Sequence, residues 1–250
     1  MRSPLERFSD RVENYVRYRP SYPRQVVEVL KQECGLGFES TVADVGCGPG
    51  NLAVLLLPEA AKVFGVEPNR EMRMEAERLL ADRPNFVAVE GSAEATTLPD
   101  QSVDLVTAGQ AFHWFKPERA RVEFRRILKP GGWVALIWNS RLDDTSPFLR
   151  EYERLLTECS PEYGVVNHRK IGQETLAEFF GRDPKLRTFP YTQPLDWPGL
   201  EGRALSSSYV PLTEPEKSLF LERLREIFDT NEVDGKIGFD YRTEMYVGQL

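Results

Sequence analysis

The sequence predicts an α/β fold: a mostly parallel sheet with helices on both faces. Three observations carry this. Short apolar runs alternate with helical patterns from Thr41 to Trp138. A glycine-rich turn, Gly46-Cys47-Gly48-Pro49-Gly50, joins the first run to the segment that returns across the sheet. The second run ends on a carboxylate, Glu67. Strands that alternate with helices pair in parallel through crossovers, and ligands of such sheets bind beyond the carboxyl ends of the strands.

The elements follow in order. Pro23 opens a helix carried by Val26, Val27, Val29 and Leu30 and stopped by Gly35 and Gly37. Thr41 to Val45 is apolar enough for a buried parallel strand, and Leu52 to Leu57 supplies the return helix. Ser102 to Ala108 reads as a further strand, running into Gln110-Ala111-Phe112-His113-Trp114-Phe115. Val122, Phe124, Ile127 and Leu128 mark the apolar face of a helix, leaving Arg121, Arg125, Arg126 and Lys129 as its solvated face. Trp133 to Trp138 is the next strand, and after it the alternation breaks. Ser146 to Cys159, Glu174 to Phe180, Trp197 to Ser206 and Pro215 to Phe228 read as helices, the last behind a Thr213 cap. Lys185 to Leu195 and Lys236 to Val247 read as strands that pair antiparallel. Residues 1–250 form one domain in this reading, with cap helices within 140–183 and 197–233.

The glycine turn implies a cofactor containing a nucleoside. Glycines let the backbone turn tightly and approach a ligand where a Cβ would clash, and the helix beyond aims N–H groups at a carboxylate or phosphate. Glu67, 23 residues after Asp44, is placed to accept hydrogen bonds from two ribose hydroxyls. Asp44 orients the loop or meets a cofactor ammonium. A dinucleotide fingerprint wants a glycine at the sixth position from Gly46, where this chain has Asn51.

The pattern resembles motif I of the class I S-adenosylmethionine-dependent methyltransferases, and later segments agree in order. Gly91-Ser92-Ala93-Glu94 with Leu98-Pro99 is similar to the segment after the third strand that edges the adenine ring; Ser92 stands where an acid is usual, so Glu94 or a carbonyl takes the amino-group contact. Ile127 to Gly132 resembles the turn before the fifth strand. Tyr15, Tyr18, Arg19-Pro20 and Tyr22-Pro23 resemble the entry segment of the small-molecule, type 11 branch, and Ser206-Ser207-Ser208-Tyr209 and Phe239-Asp240-Tyr241 resemble the tail of one bacterial group. The resemblance implies a Rossmann-like seven-stranded sheet with an antiparallel last strand. It also implies S-adenosylmethionine as cofactor and a small-molecule acceptor with a carboxylate or hydroxyl nucleophile. Cofactor contacts then fall to Arg19, Asp44, Gly46, Gly48, Gly50, Glu67, Pro68, Ser92, Ala93, Glu94 and Gln110. Arg19 suits the methionine carboxylate, since a guanidinium meets a carboxylate with two parallel hydrogen bonds; its other reading is a surface ion pair. Tyr15, Tyr18, Tyr22, Phe112, Trp114 and Tyr209 are the aromatic groups that close the acceptor pocket and face the sulfonium. His113 is either a general base, with an imidazole pKa near 6.5, or a packing residue between two aromatics. The serines before Tyr209 bind a polar substrate or end a helix through local bonds.

Bulk properties narrow the partners. The net charge of −7 argues against duplex nucleic acid, which needs a concentrated basic face. No apolar run suits a bilayer span and Met1 to Asp10 has no signal-peptide core, so a cytoplasmic location is expected. Cys34, Cys47 and Cys159 have no metal or redox spacing, and His168 reads as a surface side chain. Asn139, Asp143 and Asp144 follow the fifth strand, but Gln110 replaces an acid at the fourth, so no metal is expected. The chain is expected as monomer or homodimer. Two rival readings are a non-catalytic cofactor-binding partner protein and a nicotinamide-dependent oxidoreductase.

Overall fold

A computed structural model describes residues 16–160, 163, 171–207 and 209–250. Seven strands form one sheet: β1 (Thr41–Val45), β2 (Lys62–Val66), β3 (Phe86–Val89), β4 (Val103–Gly109), β5 (Leu128–Arg141), β6 (Lys185–Leu195) and β7 (Ile237–Gly248). Their order is β3-β2-β1-β4-β5-β7-β6, parallel from β3 to β5, with β7 antiparallel to both of its neighbours. This is the expected Rossmann-like sheet. The order reverses between β1 and β4, which opens a crevice at their carboxyl ends.

Helices α1 (Gln25–Cys34), α2 (Ala53–Leu56), α3 (Arg70–Leu79) and α4 (Pro117–Ile127) belong to the parallel half; α5 (Pro147–Cys159), α6 (Gln173–Phe180), α7 (Trp197–Leu205) and α8 (Glu216–Asn231) follow β5. The central strands are buried on both faces, and two apolar clusters cover them. One joins α1 and α2 to Val42, Leu105 and Ile137. The other joins α4 and α6 to Val106, Leu136 and Trp138. A third cluster unites α5, α7 and α8 around Phe239 and Tyr241, at the end of the sheet where β5 and β6 finish. That cluster is the cap.

Several expectations need correction. Leu176, Phe179 and Phe180 of α6 pack with α4 in the sheet core, so α6 is no part of the cap. The turn at Ile127 to Gly132 is largely a bulged start of β5, because Leu128 already pairs with Val103. β5 continues three residues past Trp138, which puts Asn139 inside the strand. The return helix is only Ala53–Leu56 followed by a 3₁₀ turn, since Pro58 cannot continue α-helical hydrogen bonding. Thr213 does not cap α8; the Glu214 carboxylate accepts from the Ser218 N–H instead, at 3.1 Å.

Candidate active site

The glycine loop and Glu67 meet at the carboxyl ends of β1 and β2. The main-chain N–H of Gly46 donates to the Val66 carbonyl at 2.8 Å, locking the loop to the neighbouring strand. Glu67, buried, accepts from the Gly48 N–H through Oε2 and from the Asn69 N–H through Oε1, each at 2.9 Å. Burial pushes its carboxyl up, against the pull of these N–H groups and of Arg73. Gly46 and Gly48 sit at φ +69° and +55°. A Cβ on Gly46 would stand 2.6 Å from the Ala111 Cβ, whereas one on Gly48 would point into open space. The Gly48 backbone is thus the bare wall of a cradle that a ligand can approach. Asp44 is buried below it, receiving the Thr107 hydroxyl at 2.9 Å.

The segment expected to edge the adenine folds as a tight turn in which Ser92 N–H donates to the Ala95 carbonyl. Ser92 Oγ accepts from the Glu94 N–H, and the Glu94 carboxylate accepts from the Lys116 N–H ahead of α4 at 2.8 Å. Ala93 is buried in the sheet core, while Pro68 is exposed beside Glu67.

At the end of β4, Gln110 adopts φ +55°, a conformation that costs a non-glycine residue on the order of 1–3 kcal/mol. Its N–H donates to the Ile137 carbonyl and its side-chain amide to the Asn139 carbonyl, which hold it there. The entry segment crosses this point. Asn139 Nδ2 donates to the Ser21 carbonyl, and the Tyr22 hydroxyl lies over Gly109, where a Cβ would stand 2.5 Å from it. Tyr18 packs on Gly202 of α7, and Arg19 donates to the Ser206 carbonyl at 3.0 Å. Arg19 thereby ties the entry segment to the cap.

Phe112 is the clear correction among the pocket aromatics. It is buried edge-on against Phe115, Trp138 and Phe179, so it is core. Phe179 on α6 meets the ring edge-on, with centroids 4.8 Å apart. Trp114 is partly exposed, with the half-buried His113 ring 4.9 Å away. Ser206 Oγ donates to the Arg203 carbonyl, the local helix-end bond, whereas Ser207 Oγ accepts from Arg203. Tyr15, His168 and Ser208 lie outside the described residues.

The cap holds residues that sequence reasoning missed. Arg141, the last residue of β5, pairs with Glu153 and donates to the Tyr163 hydroxyl at 2.6 Å. Its guanidinium lies 5.2 Å over the Tyr152 ring. Arg203 on α7 donates to the Tyr241 hydroxyl and Ser207 Oγ, each at 3.0 Å. Both arginines are buried. An arginine ending an apolar strand, and one four residues before Ser207 on a helix, were the available signals.

Comparison with known proteins agrees with this geometry. The family model described as "Methyltransferase domain" matches residues 43–136. An uncharacterized methyltransferase of Schizosaccharomyces pombe is 39% identical over 153 residues, 61% of this chain and 59% of that one, so the match spans about three-fifths of that relative. A methyltransferase-like protein of the same yeast is 32% identical over 230 residues, 90% of this chain and 87% of that one. The chain belongs to the class I S-adenosylmethionine-dependent methyltransferases. A more distant family member, trans-aconitate 2-methyltransferase of Afipia carboxidovorans, is 26% identical over 248 residues, 90% of this chain and 93% of that one. A solved structure of a putative type II methyltransferase from Anaeromyxobacter dehalogenans shares the fold, with a TM-score of 0.66 at 21% identity over 93% of this chain and 98% of that one. No helix among the described residues is long and apolar enough to cross a membrane. Among them, no group of three or more histidine, cysteine or acidic residues forms a metal site.

Proposed function

We propose that this methyltransferase moves a methyl group from S-adenosylmethionine to a small molecule bearing a carboxylate or hydroxyl nucleophile. The observation that carries the reading is the single hydrogen bond joining Glu67 to the Gly48 N–H. It brings the ribose-binding carboxylate and the open glycine wall to one place. The cofactor supplies a methyl already activated on a sulfonium, so the protein's task is placement. Holding acceptor and methyl in near-attack geometry contributes up to roughly 7–11 kcal/mol, and excluding water removes competing solvation.

In this reading Glu67 takes the ribose hydroxyls, and the backbone of Gly46, Gly48 and Gly50 cradles the methionine end. Asp44 steadies the loop, Arg19 takes the methionine carboxylate, and Ser92, Ala93 and Glu94 border the adenine. The strained Gln110 presents its main chain beside the reacting centre. Tyr18, Tyr22, Trp114 and Tyr209 shape the acceptor side. His113 serves as base only for an acceptor that must lose a proton. The trans-aconitate relative favours a carboxylate, which is ionised at pH 7 and needs no base.

Thermal unfolding with S-adenosylhomocysteine tests the reading. Ligand at 100 times its dissociation constant adds about 2.7 kcal/mol, which for a chain of this size is a rise of roughly 5–10 °C. The rise is expected in wild type and lost in Glu67→Ala. A rise with NAD instead would point to the oxidoreductase, and binding without transfer across an acceptor panel to a non-catalytic partner protein.

A further inference from the structure

Resting on the methyl-transfer reading, we infer that the acceptor is a small di- or tricarboxylic acid, and that Arg141 and Arg203 hold the carboxylate that does not react. Arg141 ends β5, and Arg203 donates to the hydroxyl of Tyr241, the register partner of Arg141 on β7. Asn139, two residues before Arg141, ties that strand end to Gln110 and to the entry segment. The arginines are therefore neighbours of the cleft.

Their electrostatics call for an anion. Arg141 has Glu153 as its counter-ion, but among the described residues no carboxylate lies within ion-pair distance of Arg203. A guanidinium this buried carries a desolvation cost that hydroxyl and aromatic neighbours offset only in part. The cluster also contains an orphan. Tyr152 is 1% exposed, faces Arg203, Arg141, Tyr209 and Tyr241, and its hydroxyl has no hydrogen-bond partner among the described residues. A carboxylate between the two guanidiniums would accept from both and from this hydroxyl.

A further observation agrees. Burial pushes the Tyr209 phenol up, but Arg203, Arg141 and Arg19 outweigh it and hold it below the ordinary tyrosine range. The three guanidiniums thus favour negative charge at this place. In the reaction, an oxygen of the acceptor's other carboxylate forms the bond to the methyl carbon while the S–CH₃ bond breaks. The bonding pair stays on sulfur, the carboxylate becomes an ester, and no proton moves.

Calorimetry on the full chain saturated with S-adenosylhomocysteine provides the test, with propane-1,2,3-tricarboxylate as probe and butyrate and inorganic phosphate as controls. The tricarboxylate is expected to bind at least about tenfold tighter than either control. Arg203→Gln should weaken it about thirtyfold, and Tyr152→Phe, which keeps the ring, about fivefold. Cofactor-product affinity should stay within about threefold in both variants. Binding of the cofactor product without preference for the tricarboxylate overturns the acid assignment and leaves methyl transfer standing; no binding of either overturns both. Equal binding of phosphate overturns the carboxylate assignment. If Arg203→Gln does not fold, an unchanged tricarboxylate affinity in Tyr152→Phe overturns the placement.

Discussion

Thr107 on β4 donates a 2.9 Å hydrogen bond to Asp44 on β1, its direct partner in the parallel register, with both side chains buried. Burial pushes the Asp44 carboxyl up to about 7, the Thr107 hydroxyl and Ala53 N–H pull it down, and Glu67 adds to the rise. A carboxyl raised above its unfolded value holds a proton that the unfolded chain has released, so stability falls as pH climbs from about 4 to about 7. At 1.36 kcal/mol per unit the loss is on the order of 4 kcal/mol at most. Urea unfolding from pH 4.5 to 7.5 should show this decline in wild type and a shallower one in Asp44→Asn. Equal slopes would mean that Asp44 titrates as an ordinary carboxylate.

Two alanine substitutions in the glycine loop should behave differently. In Gly46→Ala the new Cβ meets Ala111 at 2.6 Å in a left-handed conformation, and the fold itself should suffer. Gly48→Ala meets nothing, so it should cost only about 1–2 kcal/mol of backbone strain. Its Cβ enters the proposed cofactor space, so S-adenosylhomocysteine affinity should fall about a hundredfold in a protein that still unfolds cooperatively. Retained affinity would move the methionine end away from Gly48.

Phe112 and Trp114 separate core from pocket. Phe112→Ala should destabilise by about 3–5 kcal/mol through the cavity it leaves among Phe115, Trp138 and Phe179. Trp114→Ala, at a partly exposed ring, should cost under about 1 kcal/mol and act chiefly on acceptor KM. Denaturation midpoints and steady-state kinetics on both variants check the contrast.

For a carboxylic acid acceptor, His113→Ala should keep kcat within about threefold from pH 6 to 9, because such an acceptor has no proton to lose. A basic limb with an inflection near 6.5, lost in the variant, would assign His113 as a base and turn attention to a hydroxyl acceptor.

The sheet and the meeting of the glycine turn with Glu67 were legible in the sequence because both rest on local pattern. The Thr41–Val45 run, the glycine turn and Glu67 follow from periodicity and backbone freedom, and the structure joins them through one hydrogen bond. The charge cluster of the cap was not legible. Arg141 and Arg203 stand 62 residues apart, on a strand and a helix whose neighbourhood depends on how the cap folds over β7. Phe112 looked like pocket because an aromatic just past a strand reads the same facing in or out. Only packing against α6, a helix more than sixty residues later, turned it inward. By itself, the sequence determined the fold class and the pairing of a glycine turn with a carboxylate at a strand tip, since both are set by short stretches of chain. Tertiary structure alone decided which charged side chains meet in the cap, because burial of a guanidinium and its partners is set by contacts between distant segments.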